Sequence, residues 1–134
     1  MYLSELNIGE KKNFLELARY SMRLNGQLKS EEREIYQSFV QECGLLEYQL
    51  EKQDNIGSVV KVLSKSCEKH KRIILIELFG ILLADGEVCA NEQGFMDKIA
   101  KYFVIPSYEI KKIQRWVEAM NDLVTEGYAL IDKD

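Results

Sequence analysis

The sequence contains a polar stretch, Asp85-Gly86-Glu87-Val88-Cys89-Ala90-Asn91-Glu92, between two segments of helical apolar spacing. The same pattern lies sixty residues earlier, in Asn25-Gly26-Gln27-Leu28-Lys29-Ser30-Glu31-Glu32. In both stretches a glycine follows a short polar residue, an apolar residue comes two positions later, and a glutamate comes six positions after the glycine. Because glycine readily takes the left-handed conformation that ends a helix, each stretch predicts a turn between helices.

The similarity extends outward from these turns. Residues 12–45 align with residues 72–105, so that Phe14 meets Ile74 and Glu32 meets Glu92. Few residues are identical, but the apolar, turn and acidic positions recur, which is typical of a repeated structural unit. The sequence therefore predicts two helix-loop-helix hairpins related by an approximate two-fold axis.

The rest of the chain is also predicted to be helical. There is one proline, and apolar residues recur three and four positions apart almost everywhere. We expect one domain over residues 1–134, with a linker and helix at about 46–71 and a C-terminal helix at about 107–126. A short helix is expected near residues 48–53. The apolar stretch 73–84 is too short to cross a bilayer and predicts a buried helix.

Single residues predict several helix ends. Asn7 with Glu10 three positions later predicts an N-cap pair that begins the first helix. Gly44 is expected to end the second helix of the first repeat. Pro106 is expected to precede the last helix, which is expected to end at Gly127.

Charge and cysteine content narrow the class of protein. Eighteen Lys and Arg against 22 Asp and Glu give a net charge of −4, which is unlike the basic surface of a nucleic-acid binder. The three cysteines have no Cys-x-x-Cys spacing, which is typical of reduced thiols in the cytoplasm. We therefore expect a cytoplasmic protein that does not bind nucleic acid.

The two turns match the second half of a calcium-binding loop. The glycine and the glutamate six positions later fit the spacing of an EF-hand. The leading ligand positions do not fit, since they would fall on Ile81 and Leu83 in the second turn and on Ser21 and Arg23 in the first. The sequence therefore excludes an EF-hand.

Two interpretations of the turns stay open. In the structural one, Gly86 turns the chain, Val88 contacts the core, and Asp85 and Glu92 accept backbone hydrogen bonds. In the functional one, acidic and amide side chains bind an anion or a divalent cation such as Ca²⁺, Mg²⁺ or Mn²⁺. The candidate ligands are Asp85, Glu87 and Glu92 in the second turn and Asn25, Glu31 and Glu32 in the first.

Other polar groups are predicted to be ordinary surface residues. His70 is the only histidine and forms a Cys-x-x-His pair with Cys67, but a zinc site needs three or four ligands and the other cysteines have no matching spacing. We interpret it as a solvated helix residue, and the basic residues Lys69, Lys71 and Arg72 as a solvated face. Trp116 is expected in the core or at its edge. Because the common catalytic motifs are absent, no enzymatic activity is predicted.

The segment Tyr128–Ile131 is apolar where a chain end is usually polar. We therefore expect it to pack on the body of the domain or on a second copy of the chain.

The chain resembles the TerB family of tellurite resistance proteins. The resemblance covers about residues 5–125 and is carried by three stretches, which are Glu10–Ala18, Leu24-Asn25-Gly26 with Glu31-Glu32, and Ala84-Asp85-Gly86-Glu87-Val88 with Glu92. It implies an all-α fold of about seven helices, a bacterial cytosolic setting and a role in tellurite or other chemical stress. It also implies metal binding at Asp85 and Glu92, and at Asn25 and Glu32 in the first copy.

The function expected from the sequence is therefore a non-enzymatic, TerB-like module that acts through protein partners or self-association and is modulated by a divalent cation at the Asp85 turn. The alternative is a structural interaction or oligomerisation domain without a metal site.

Overall fold

The fold of the chain is all-α. A computed structural model describes residues 1–24, 26, 30–84 and 88–132, and the described residues contain α-helices and short 3-10 turns but no strand. The helices are α1 (Ile8–Met22), α2 (Ser30–Cys43), α3 (Ile56–Leu63), α4 (Glu68–Leu82), α5 (Ala90–Phe103) and α6 (Ser107–Ile131). The 3-10 turns are Leu3–Glu5 and Gln53–Asn55.

The predicted duplication is visible in the helix boundaries. Helix α4 begins and ends sixty residues after α1, and α5 begins and ends sixty residues after α2. The prediction of two duplicated helix-loop-helix pairs is therefore confirmed.

Both pairs also end in the same way. Gly44 after α2 and Val104 after α5 have left-handed backbones, with φ of 68° and 54°. In each case the amide of the next residue, Leu45 or Ile105, donates a 3.1 Å hydrogen bond to the carbonyl five positions earlier. This is the Schellman pattern of helix ends, so the two copies share even the geometry of their final turn.

The core lies around the first helices of the two pairs. Helix α1 packs against α2, α3 and α4, while α4 also packs against α6. Phe14 and Leu17 of α1 and Leu75 and Leu78 of α4 are fully buried. The prediction of a buried helix over residues 73–84 is confirmed for its helical part, which ends at Leu82.

Three element boundaries differ from the predictions. Residues 48–52 form no helix, because hydrogen bonds to Glu16 hold them across α1. The described residues accordingly contain six α-helices where about seven were expected. In the stretch 46–71, predicted as a linker and one helix, α3 ends at Leu63 and α4 already begins at Glu68. Helix α6 continues through Gly127 to Ile131 rather than ending near residue 126, because Gly127 keeps a helical backbone and the apolar spacing continues past it.

Within the described residues, no helix is long and apolar enough to cross a membrane.

Candidate functional site

The described residues that flank the two predicted turns lie close together. The Asn91 side-chain amide, at the start of α5, donates to the Leu24 carbonyl, just after α1, at 3.3 Å. A shallow cavity of about 500 Å³ separates the two regions and is lined by Arg23, Leu24, Gly26, Cys89, Ala90 and Asn91. The residues that flank the two turns are therefore brought together. The candidate ligands Asn25, Asp85 and Glu87 lie outside the described residues.

Glu92 has a structural task. It is buried in the first turn of α5, and its Oε1 accepts a 2.9 Å hydrogen bond from the Cys89 amide. This bond satisfies a helix N-terminal amide that lacks an intrahelical partner. The structural interpretation is thus confirmed for Glu92. Glu32 is buried at the equivalent place in α2, whereas Glu31 is exposed.

The described donors do not fit a metal ion by themselves. A hard cation such as Ca²⁺ takes six to eight oxygen ligands. The described residues contain no group of three His, Cys, Asp or Glu side chains that could hold a metal. A cation at these turns would therefore depend on Asp85, Glu87 or Asn25.

A buried carboxylate that the sequence analysis missed lies in the middle of α1. Glu16 accepts hydrogen bonds from the Tyr48 hydroxyl at 2.5 Å, from the backbone amides of Glu51 and Lys52 at 2.9 and 3.1 Å, and from the Gln53 side chain at 2.8 Å. The linker between the two helix pairs is therefore fastened to α1 through one side chain.

These bonds determine the ionisation of both partners. Burial alone would raise the pKa of Glu16, but the hydrogen bonds from Tyr48, Glu51, Gln53 and Lys52 outweigh burial and lower it. Burial and the bond to the Glu16 carboxylate raise the pKa of Tyr48. The carboxylate is thus charged and the phenol neutral at pH 7, which suits an anchor rather than proton transfer.

A second contact joins the two helix pairs within the chain. His70 Nδ1 lies 2.8 Å from Glu10 Oε1, although the two residues are sixty positions apart and so occupy equivalent places in α4 and α1. Equivalent residues that touch must lie beside the axis relating the copies, as expected for a two-fold arrangement. The interpretation of His70 as merely solvated is wrong, since this contact and partial burial fix its ring.

Glu10 is held from its other side as well. It completes the predicted capping box of α1, in which the Asn7 amide donates to Glu10 and the Asn7 side chain accepts from the Glu10 amide, both at 2.8 Å. Burial would raise the pKa of Glu10, but the bonds from Ser66, Asn7 and His70 lower it. The predicted N-cap pair is confirmed.

The predicted basic face is only partly solvated. Lys69 is exposed, but Lys71 is buried, and its Nζ donates to the Phe103 carbonyl at 2.9 Å. Arg72 joins α4 to α6 through a 2.6 Å ion pair with Glu109. The interpretation of Lys71 as a solvated residue is therefore wrong. The last carbonyl of α5 needs a hydrogen-bond donor, and the Lys71 side chain on α4 reaches it.

Helix α6 extends beyond the body of the domain. Val117 is fully buried, but from residue 118 to residue 132 no side chain of α6 is buried. The large apolar side chains in this part are 52% to 76% exposed, namely Leu123, Val124, Tyr128, Leu130 and Ile131. Of the two arrangements expected for the Tyr128–Ile131 segment, packing on the body is not found, and packing on a second copy of the chain stays a prediction. Trp116, where α6 leaves the body, is 43% exposed and so lies outside the core.

Taken together, the fold defines a small all-α module built from a duplicated helix pair and closed by a long helix. The family model of the tellurite resistance protein TerB matches residues 5–115, which is most of the chain. The chain therefore belongs to the TerB family, as the sequence resemblance indicated. Searches of curated proteins and of solved structures gave no match.

Proposed function

We propose that this chain is a non-catalytic TerB module that acts through protein contacts in the cytoplasmic response to tellurite or related chemical stress. Membership of the TerB family supports the stress association. The observation that carries the proposed mode of action is the exposed apolar face of α6 between residues 118 and 132.

The polar side chains that stabilise the fold are distinct from the exposed apolar side chains of α6, and this distinction supports the proposed function. Glu10, Glu16, Lys71 and Glu92 each bind a backbone amide, a carbonyl or a neighbouring helix, so they stabilise the fold. By contrast, the apolar side chains at the end of α6 cover no core and gain nothing from burial in a lone chain. Contiguous exposed apolar surface of this kind is typical of a protein interaction site.

Growth in tellurite tests this proposal. In the native host, the chromosomal copy is replaced by Leu123→Asp, which puts a charge on the apolar face, or by the matched control Thr125→Asp on the exposed polar face. We expect Leu123→Asp to lower tellurite tolerance to the level of a strain lacking the protein, with Thr125→Asp unchanged. A strain lacking the protein that tolerates tellurite as well as its parent would contradict the proposal.

We also propose that a divalent cation modulates the module at the paired turns. The 3.3 Å contact between Asn91 and Leu24 supports this proposal, because it joins residues that flank the two turns, as buried Glu32 and Glu92 also do. Carboxylate and amide oxygens are suitable ligands for Ca²⁺, Mg²⁺ or Mn²⁺.

Thermal unfolding with each cation tests this second proposal. A cation that binds only the folded chain, at a hundred times its Kd, adds about 2.7 kcal/mol to the free energy of unfolding. We expect the double variant Asp85→Asn, Glu87→Gln to lose this gain in the free energy of unfolding. The control Glu34→Gln, at an exposed position of α2, should keep it. No gain with any of the three cations, or an equal gain in the double variant, leaves the alternative of an interaction domain without a metal.

A further inference from the structure

We infer that the exposed face of α6 is covered by α6 of a second copy of this chain, in an antiparallel pair with two-fold symmetry. This inference rests on the proposed function, since it names the partner of that interaction face. Continuity of the apolar stripe, side-chain size and charge support it independently.

The exposed face continues a stripe that is already a packing surface. Ile110, Ile113 and Val117 of α6 turn toward the body, where α6 packs against α4. With 3.6 residues per turn, the same side of the helix continues through Met120, Val124 and Ile131. About three turns of a core-type stripe thus extend past the edge of the body.

A ridge beside this stripe is shaped to pack against the same ridge of a second copy. Trp116, Met120, Leu123 and Gly127 recur at spacings of four, three and four, so they form one ridge along the side of the helix. In an antiparallel pair, Trp116 of one copy lies level with Gly127 of the other, and Met120 lies level with Leu123. A large ring then meets a position without a side chain, and nothing lies within 4 Å of where a Cβ of Gly127 would be. The two-fold axis repeats each contact, as in a closed dimer.

Charge determines the direction of the pair. On the side of α6 next to this ridge, the first half of the helix carries the exposed bases Lys112 and Arg115, and the second half carries the exposed acid Glu126. A parallel pair would bring like halves together. The antiparallel pair brings Arg115 of each copy beside Glu126 of the other, where opposite charges favour the correct register.

This alignment also covers the outermost apolar residues. The end of α6 in one copy runs beside the first half of α6 in the other, next to the body of that copy. Tyr128 and Ile131, which face the body direction of α6 but extend beyond their own body, then lie against the body of the second copy. One arrangement thus accounts for the whole exposed stripe.

Sedimentation equilibrium with charge-reversal variants tests the inference. We expect the wild-type chain to have twice the mass of one chain at high concentration. Arg115→Glu or Glu126→Arg should each weaken the dimer roughly tenfold, since each creates two like-charge contacts across the axis. The variant carrying both changes should regain most of the lost affinity. Glu118→Arg, on the opposite side of α6, is the matched control and should dimerise like the wild type.

A wild-type chain that stays monomeric at the highest attainable concentration overturns the inference, as does a double variant no tighter than the two single ones. Circular dichroism checks that each variant is folded. We expect all of them to fold, because the substituted residues are exposed. Failure here is distinguishable from failure of the proposed function. A monomer whose Leu123→Asp variant still loses tellurite tolerance indicates a different protein partner, whereas a dimer without any effect on tolerance contradicts the function alone.

Discussion

Glu16 shows what a single residue does in this molecule. Burying a carboxylate is costly unless it is fully hydrogen-bonded, and Glu16 meets this condition with donors from Tyr48, Glu51, Lys52 and Gln53. The linker contributes all of these donors. Hydrogen bonds to Glu16 therefore hold the linker in place, where the sequence predicted a short helix.

Removing this carboxylate should loosen the linker. We expect Glu16→Ala to lower the free energy of unfolding by about 2–4 kcal/mol, because several partly buried donors lose their acceptor. Tyr48→Phe removes one donor only and should cost about 1.5 kcal/mol. Urea unfolding at pH 7 measures both. A Glu16→Ala loss no larger than that of Tyr48→Phe would show that the backbone amides of the linker do not depend on Glu16.

The same residue predicts a pH dependence. Because the folded-state pKa of Glu16 is lowered, the unfolded chain binds the proton more readily than the folded chain. The stability from Glu16 is therefore complete above the ordinary glutamate pKa, about 4.3, and is lost as the pH falls through the lower folded value. In urea unfolding at a series of pH values, the advantage of wild type over Glu16→Gln should shrink below about pH 4.3. An advantage that stays constant in acid would contradict the lowered pKa.

Residue-scale prediction from sequence succeeded where the partners are close in the chain. Asn7 with Glu10 was predicted from a spacing of three, and the capping bond of Glu92 lies within one helical turn. The bond between Glu16 and Tyr48 spans 32 residues, and that between Glu10 and His70 spans 60. No local pattern encodes such pairs, because they exist only once the helices have packed.

At the scale of elements, the two helix pairs end in the same left-handed turn but use different residues for it. Both α2 and α5 end in a left-handed residue, but the first uses Gly44 and the second uses Val104. A β-branched residue is strained in this conformation, whereas glycine is not. Val104 is 82% exposed, so packing does not compensate for the strain.

Exchanging these residues should change stability in opposite directions. We expect Val104→Gly to raise the free energy of unfolding by about 0.5–1 kcal/mol and Gly44→Ala to lower it by about 1 kcal/mol. Val62→Gly is the control, since Val62 is also exposed but lies inside α3, where replacing valine with glycine should lower the free energy of unfolding by about 0.5 kcal/mol. Thermal unfolding provides all three values. Loss of stability in Val104→Gly would mean that its backbone is not strained.

Two element boundaries were predictable from single residues. Gly44 was predicted to close α2 and Pro106 to precede α6, and both predictions are confirmed. Gly127 was expected to end α6 and does not, because glycine permits a helix end without requiring one. The glycine alone could not distinguish these cases, since the difference lies in the residues after Gly127, where Tyr128 and Ile131 continue the apolar stripe.

At the scale of the whole molecule, duplication explains both the compact body and the one element left over. Two copies of a helix pair bury their first helices against each other, and α3 and the first half of α6 cover what remains. The second half of α6 has no counterpart in the repeat and nothing in the body to cover. In the proposed dimer, α6 of a second copy of the chain covers this half of the helix.

A self-associating chain should melt at a temperature that depends on its concentration. A tenfold increase in concentration favours the dimer by about 1.4 kcal/mol, or about 0.7 kcal/mol per chain, which raises Tm by about 2–4 °C for a domain of this size. Deleting residues 128–134 should remove this dependence and leave the Tm of the dilute protein unchanged, because Tyr128, Leu130 and Ile131 are mostly exposed. Calorimetry at several concentrations compares the two chains. A wild-type Tm independent of concentration contradicts self-association, whereas a lower Tm for the dilute truncated chain would mean that the end of α6 stabilises its own body.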